Sequence, residues 1–136
     1  MENVSIEQLK GLTISEVGFG IDKLLFTCTN GDKYMMKHMQ DCCEVVYLED
    51  ITEDWKQILT GSTVYDAYES RSSYSEQNEV PKNHGIDASE LHLYEGEIDC
   101  GTWTFYRIVT NQGTVVIRWY GFSNGYYSET AELYKL

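Results

Sequence analysis

Basic side chains are scarce in this sequence. Ten Lys and Arg stand against 22 Asp and Glu, for a formal net charge of −12. That shortage excludes unaided binding to a nucleic-acid backbone, which takes clustered Lys and Arg. It equally disfavours an anionic membrane surface. Long apolar runs are missing too, and none approaches the roughly 18 residues of a membrane span. The first residues, Met1-Glu2-Asn3-Val4-Ser5, lack a basic region followed by an apolar one. A secretory leader is therefore not expected, and the protein should stay in the cytoplasm that made it. Cysteines are few and irregularly placed, at Cys28, Cys42, Cys43 and Cys100. Such spacing is no disulfide framework, and the adjacent Cys42 and Cys43 are not expected to pair with each other. With His38 they form an H-x3-C-C cluster, but there is no C-x-x-C pair and a structural zinc site takes four well-spaced ligands. Neither a metal nor another cofactor is expected, and the cysteines read as small buried side chains. A nucleophile–base pair, a paired-carboxylate motif, a Gly-rich phosphate loop and a metal-hydrolase motif are all lacking. His38, Asp41 and Glu44 have acid–base chemistry, yet His38 reads as a strand residue beside a turn. No enzyme activity is expected.

What is present suits one domain spanning residues 1–136. A chain of this length buries roughly two thirds of its unfolded surface, and 42% hydrophobic residues can supply that core. Ser5 to Lys10 reads as a short helix, with Ser5 as N-cap, Gln8 at the capping-box position and Gly11 as the stop. Thr13–Gly20 and Asp22–Thr29 read as strands. Asn30-Gly31 is a hairpin turn leading to a return strand, Lys33–Met39. Val45–Leu48 reads as another strand. Thr52 can cap a helix over Asp54–Leu59, ended by Gly61. Thr63–Tyr68 looks extended. Arg71 to Asp87 is polar, holds the one proline, Pro81, and reads as a long mobile loop. Leu91–Tyr94 reads as a short strand. The sum is an α+β fold, a mostly antiparallel sheet of about six or seven strands with two short helices.

The C-terminal third is the most informative. Trp103 to Tyr106, Val116 to Tyr120 and Ser123 to Tyr127 read as an antiparallel meander with aromatics on both faces. If Thr110 faces Thr114 across Asn111-Gln112-Gly113, then Phe105 meets Trp119 and Tyr106 meets Arg118. If Asn124-Gly125 turns the next hairpin, Phe122 meets Tyr127 and Tyr120 meets Glu129. One face then carries the core residues Trp103, Phe105, Val109, Val115, Ile117 and Trp119. The other carries Thr104, Tyr106, Arg118, Tyr120, Phe122, Tyr127 and Glu129. A bulge at Gly113 would slip the first pair by one residue and exchange Tyr106 for its neighbours. A core needs only one apolar face. The surplus suggests a ligand platform: Arg118 for a phosphate, Tyr106, Tyr120, Phe122 and Tyr127 for a base, Thr104 beside them, and Asn124 for a base or ribose edge. The bland alternative is Arg118 stacked on Tyr106 or Tyr120 and paired with Glu129. One such cation in an acidic chain suits a small nucleotide better than a polymer. Since one open sheet face cannot enclose a ligand, a homo-oligomer is expected.

The acidic residues support a second reading. Asp41, Glu44, Glu49, Asp50, Glu53 and Asp54 lie between Gln40 and Trp55 without a Lys or Arg. Asp87, Glu90, Glu95, Glu97 and Asp99 form a similar stretch before Tyr106. Such surfaces can mimic nucleic acid and cover the site of a basic protein.

His38-Met39-Gln40-Asp41-Cys42-Cys43-Glu44, Leu48-Glu49-Asp50-Ile51, Thr102 to Tyr106, Ile117 to Gly121 and Ser123 to Glu129 carry a resemblance. From about Leu12 onward the chain resembles a family of short uncharacterised proteins of tailed bacteriophages and prophages. The resemblance implies a phage accessory protein made inside a bacterium. Small acidic phage proteins of this kind often counter host immunity. Some sequester cyclic-nucleotide or cyclic-ADP-ribose signals, and others cover the nucleic-acid site of a defence enzyme. Sequestration of a small cyclic nucleotide is the first expectation, and direct inhibition of a host defence enzyme the alternative. The Arg71–Asp87 insertion departs from shorter members of that family.

Overall fold

The strands of the first half are written in alternating burial, because successive side chains point to opposite faces. In β3 (Lys23–Cys28), Leu24, Phe26 and Cys28 are buried while Lys23, Leu25 and Thr27 face outward. In β4 (Lys33–Lys37), Tyr34 and Met36 are buried between Lys33, Met35 and Lys37. The computed structural model describes residues 1–73, 88–94, 96 and 98–136. Among these, the other strands are β1 (Glu2–Val4), β2 (Thr13–Gly20), β5 (Val45–Ile51), β6 (Ser62–Ser73), β7 (Thr102–Thr110), β8 (Gly113–Phe122) and β9 (Glu132–Lys135). One α-helix, α1 (Trp55–Leu59), and short 3-10 turns at Ile6–Leu9, Ala88–Tyr94 and Ile98–Cys100 complete the description.

The nine strands form one antiparallel sheet in the order β1-β9-β4-β3-β2-β6-β7-β8-β5. The expected mostly antiparallel sheet with few helices is present, with nine strands in place of six or seven. The uncounted strands are terminal. β9 inserts between β1 and β4, a pairing fixed by segments more than 90 residues apart in the chain. Two residue pairs, Thr13↔Thr63 and Ile14↔Ser62, alone join β2 to β6. The sheet folds over at this seam. The indole N–H of Trp119 on β8 donates to Met36 Sδ on β4 at 3.3 Å, so the two halves face each other across one core. Leu24, Phe26, Met36, Ile108, Val115, Ile117 and Trp119 meet there, with Ile6, Leu9, Trp55 and Leu59 closing its ends.

Several local expectations change. Thr52 does not cap α1. Its hydroxyl takes the Val116 N–H at 2.8 Å and so ends the β5–β8 ladder. Asp54 begins the helix in a left-handed conformation, φ +61°, without a side-chain cap. Leu91–Tyr94 lies in a 3-10 turn, not a strand. Arg71, Ser72 and Ser73 extend β6 against Thr104, Trp103 and Thr102. The remainder of the expected Arg71–Asp87 loop lies outside the described residues.

The meander register is the slipped one. Thr110 faces Gly113 across a two-residue turn, so Phe105 meets Arg118 and Tyr106 meets Ile117. Thr110 drives this choice: its Oγ1 donates to the Gly113 carbonyl at 2.8 Å and accepts from the Gln112 N–H at 3.0 Å. One residue of slip moves every β7 side chain to the other face relative to β8. Trp103 and Phe105 thereby join Arg118, Tyr120 and Phe122, while Thr104 and Tyr106 enter the inner core. The second expected pair does not form. Asn124-Gly125 makes a turn, with Gly125 at φ +98°, but the chain after it crosses to β9. β5 takes the edge of β8 instead, pairing Tyr47 with Tyr120 and Val45 with Phe122. Gly121 permits the crossing, because a Cβ there would strike the Glu129 carbonyl.

Candidate functional site

The expected ligand residues separate into three places. Thr104 and Tyr106 are buried on the inner face. The Tyr106 hydroxyl donates to the Ala131 carbonyl at 2.6 Å, and burial first, then Glu69, pushes its ionisation up. Thr104 is enclosed, and Tyr106 borders a separate surface depression of about 520 Å³ together with Tyr68, Glu69 and Glu132, on the opposite face from Arg118.

Arg118, Tyr120 and Phe122 share the outer face of β7 and β8 with Trp103, Phe105 and Tyr47. This face is roofed by the chain's own 3-10 turns. Tyr94 meets the edge of Phe122 at 5.7 Å between ring centroids. The Tyr120 hydroxyl donates to the Ile98 carbonyl and accepts from the Gly101 N–H at 3.1 Å. Trp103 lies 4.8 Å from Tyr120 and is fully buried. Arg118 is held by Asp50 on β5 through two contacts, Nε to Oδ1 at 2.7 Å and Nη2 to Oδ2. Its guanidinium also lies 5.0 Å from the Trp103 ring. Such a bidentate pair over a ring occupies the fork that a phosphate would need. Among the described residues two buried polar atoms have no partner here, the Tyr47 hydroxyl and the Trp103 indole N–H. Burial, then Glu49, pushes the Tyr47 hydroxyl up.

Asn124 and Tyr127 line a surface cleft. A depression of about 560 Å³ is bounded by Arg71, Cys100, Thr102, Gly125 and residues 127–130. A second of about 440 Å³ adjoins it at Cys100, Gly125 and Glu129 and reaches Asn124. Glu129 accepts hydroxyls from Thr102 at 2.8 Å and Ser123 at 2.6 Å. Arg71 is engaged by Glu69 and Glu132, each at 3.1 Å. The cleft thus offers hydroxyls, an exposed thiol and one ring, with its guanidinium already paired.

The His38 cluster is structural. His38 and Glu44 are buried and meet at 2.8 Å, Nε2 to Oε1. His38 Nδ1 faces the Thr130 carbonyl at 2.9 Å. Each ring nitrogen therefore has a polar partner, which fixes the orientation of the imidazole. Glu44 also accepts from the N–H groups of Asp41 at 2.6 Å and Cys42 at 3.1 Å. Burial alone would raise this carboxyl, but those hydrogen bonds and His38 outweigh it and hold the group at about 2. The turn they fix carries Cys42 and Cys43, which are exposed and joined as a vicinal disulfide, against expectation. Of the remaining cysteines, Cys28 is buried and Cys100 is exposed. Among the described residues no cluster of three or more His, Cys, Asp and Glu is arranged to hold a metal ion, and no helix is long and apolar enough to cross a membrane.

The acidic stretches divide as well. Glu44 and Glu49 are buried, Asp50 is spent on Arg118, and Asp41, Glu53 and Asp54 remain at the surface. Asp87, Glu95 and Glu97 lie outside the described residues. Sequence reasoning missed the Asp50 clamp and the roof. The signal for the clamp was an acidic residue at the end of a strand able to pair beside Arg118.

A folded-over antiparallel sheet with buried aromatic faces and an acidic surface defines a β-rich protein. The chain belongs to the family described as a domain of unknown function, DUF7448, whose model matches residues 7–133. No curated protein and no solved structure matches it.

Proposed function

We propose that the protein works without catalysis, as an acidic inhibitor that binds a basic surface of another protein directly. In the setting that the resemblance to phage proteins implies, that target is a host defence enzyme in the bacterial cytoplasm. The observation that carries this reading is the state of its cations. Arg118 and Arg71, the guanidiniums nearest the aromatic face and the cleft, are both neutralised internally. Asp41, Glu53 and Asp54 have no ion-pair partner among the described residues, and the chain carries a charge of −12. A surplus of exposed carboxylates steers a basic partner and gives an association that salt weakens.

Sequestration of a small nucleotide remains the second reading, favoured by the cleft that brings Asn124 and Tyr127 together beside Arg71. Co-purification from infected bacteria at low and raised salt, with calorimetry of the pure protein against a panel of cyclic nucleotides, separates the two. A basic enzyme that is released by salt, and lost with Asp41→Asn/Glu53→Gln/Asp54→Asn, supports the inhibitor. Tight nucleotide binding by the pure protein, with no such enzyme recovered, overturns it.

A further inference from the structure

The outer face of β3 and β4 departs from the charge of the whole molecule. Lys23, Lys33 and Lys37 all point outward there, around the half-buried Leu25 and Met35. Lys23 and Lys37 are direct cross-strand partners. Like charges opposed in this way destabilise a sheet. A chain with 22 carboxylates could place one beside them, yet none of the three lysines forms an ion pair among the described residues. Glu132, opposite Lys37 in register, is engaged by Arg71 and by the Thr130 hydroxyl. Protection of a sheet edge is not the reason for the lysines, because β3 and β4 are interior strands. The face is flat on one side, since β2 presents Gly18 and Gly20 opposite Leu25 and Lys23, with Glu16 farther along opposite Thr27. On the other side Tyr134 of β9 continues the apolar row from Met35.

We propose that this lysine-rimmed apolar face is an interaction surface for a second copy of the same chain. Charge decides the partner and the geometry. Lysines around Leu25 and Met35 call for carboxylates around their counterpart, and the rest of this molecule supplies exposed ones such as Asp41, Glu53 and Asp54. Two copies meeting face to face would set three lysines of one against three of the other, with Glu16 the one carboxylate of that face not engaged by Arg71 to offset them. The contact is therefore heterologous, head to tail, and gives a ring where the rotation closes and a chain where it does not. Nucleic acid is a poorer occupant, since three lysines are too few to neutralise a run of phosphates. The inference does not rest on the inhibitor reading, although a basic partner and a second copy would compete for the same carboxylates.

Sedimentation of the purified full chain tests it across a concentration series at about 0.05 M and about 0.5 M ionic strength, where the screening length falls several-fold. The expected result is concentration-dependent association at low salt, weakened about tenfold or more at high salt. Lys23→Glu/Lys37→Glu should remain folded by circular dichroism and sediment as a monomer. It keeps its carboxylates, so mixing it with wild type should shorten the wild-type assemblies by occupying their lysine ends. A wild type that is monomeric at every concentration overturns the proposal. So does association that persists in the double variant, which places the contact elsewhere. A monomer whose lysine face binds poly-glutamate instead assigns the surface to a foreign anion and also overturns it. None of these outcomes bears on whether a basic enzyme is bound.

Discussion

On β7 and β8 the outer face carries Trp103, Phe105, Tyr120 and Phe122, none more than 8% exposed. On β3 and β4 it carries Lys23, Leu25, Lys33 and Met35, exposed or half-buried. Both strand pairs bury their inner side chains in the same core. The difference lies in what points outward. Rings of that size cost too much free energy in water, so the chain folds its own 3-10 turns over them and pairs the guanidinium of Arg118 beside Trp103 with Asp50. Lysines need no roof. Their charged ends stay hydrated while their stems cover the apolar side chains between them. A surplus of aromatics thus marked a second small core, and the less conspicuous face stayed open.

The comparison breaks most sharply under truncation. Trp103→Ala should cost about 4 kcal/mol, as expected for a buried large aromatic. Leu25→Ala, at a half-buried position on the other outer face, should cost about 1 kcal/mol. Equal losses in urea denaturation would mean that the two faces are equally covered.

An effect of intermediate size is expected at the turn leading into β5, the edge strand of the roofed half. Glu44→Gln removes a buried carboxylate that accepts several charge-assisted hydrogen bonds, at a cost of about 2 kcal/mol near neutral pH. Because the folded carboxyl sits at about 2, below its ordinary 4.5, its contribution is fully present above pH 4.5. It is lost as pH falls from there towards 2, since the unfolded chain takes up the proton first. Wild type should therefore lose stability over that window more steeply than Glu44→Gln. Parallel pH profiles of melting temperature would contradict this account.

Arg118→Met should cost about 1 kcal/mol. Its clamp is only partly buried, Asp50 being 48% exposed, so solvent screens the pair and the stacking on Trp103 adds little more. A double-mutant cycle with Asp50→Asn should return a coupling of about that size, falling with salt. A coupling near zero would leave Arg118 available to an external anion. The smallest change is expected at Tyr47→Phe, which removes a buried hydroxyl without a partner. Stability should stay level or rise by up to about 1 kcal/mol. A clear loss would show that the roofed face holds a hydrogen bond to water or ligand.

Local signals carried much of the fold. Alternation placed β2, β3 and β4 within about two residues, and Asn30-Gly31 marked their hairpin. These signals are short-range, resting on turn chemistry and on which side chains prefer water. The register of β7 and β8 was legible only as one of two choices. The deciding contacts, Thr110 to Gly113 and Gln112, lie within the turn itself, yet the motif Asn-Gln-Gly permits both. Tertiary structure decided the remainder. β9 belongs beside β1 and β4, and β5 displaces the expected third strand of the meander, because edge pairing is settled by distant segments competing for the same backbone groups. The site residues divided for the same reason. A strand's sequence states which side chains share a face, so Arg118, Tyr120 and Phe122 stayed together. Whether that face meets solvent, a roof or another chain depends on segments far away, and Asp50, Tyr94 and Ile98 made that choice here.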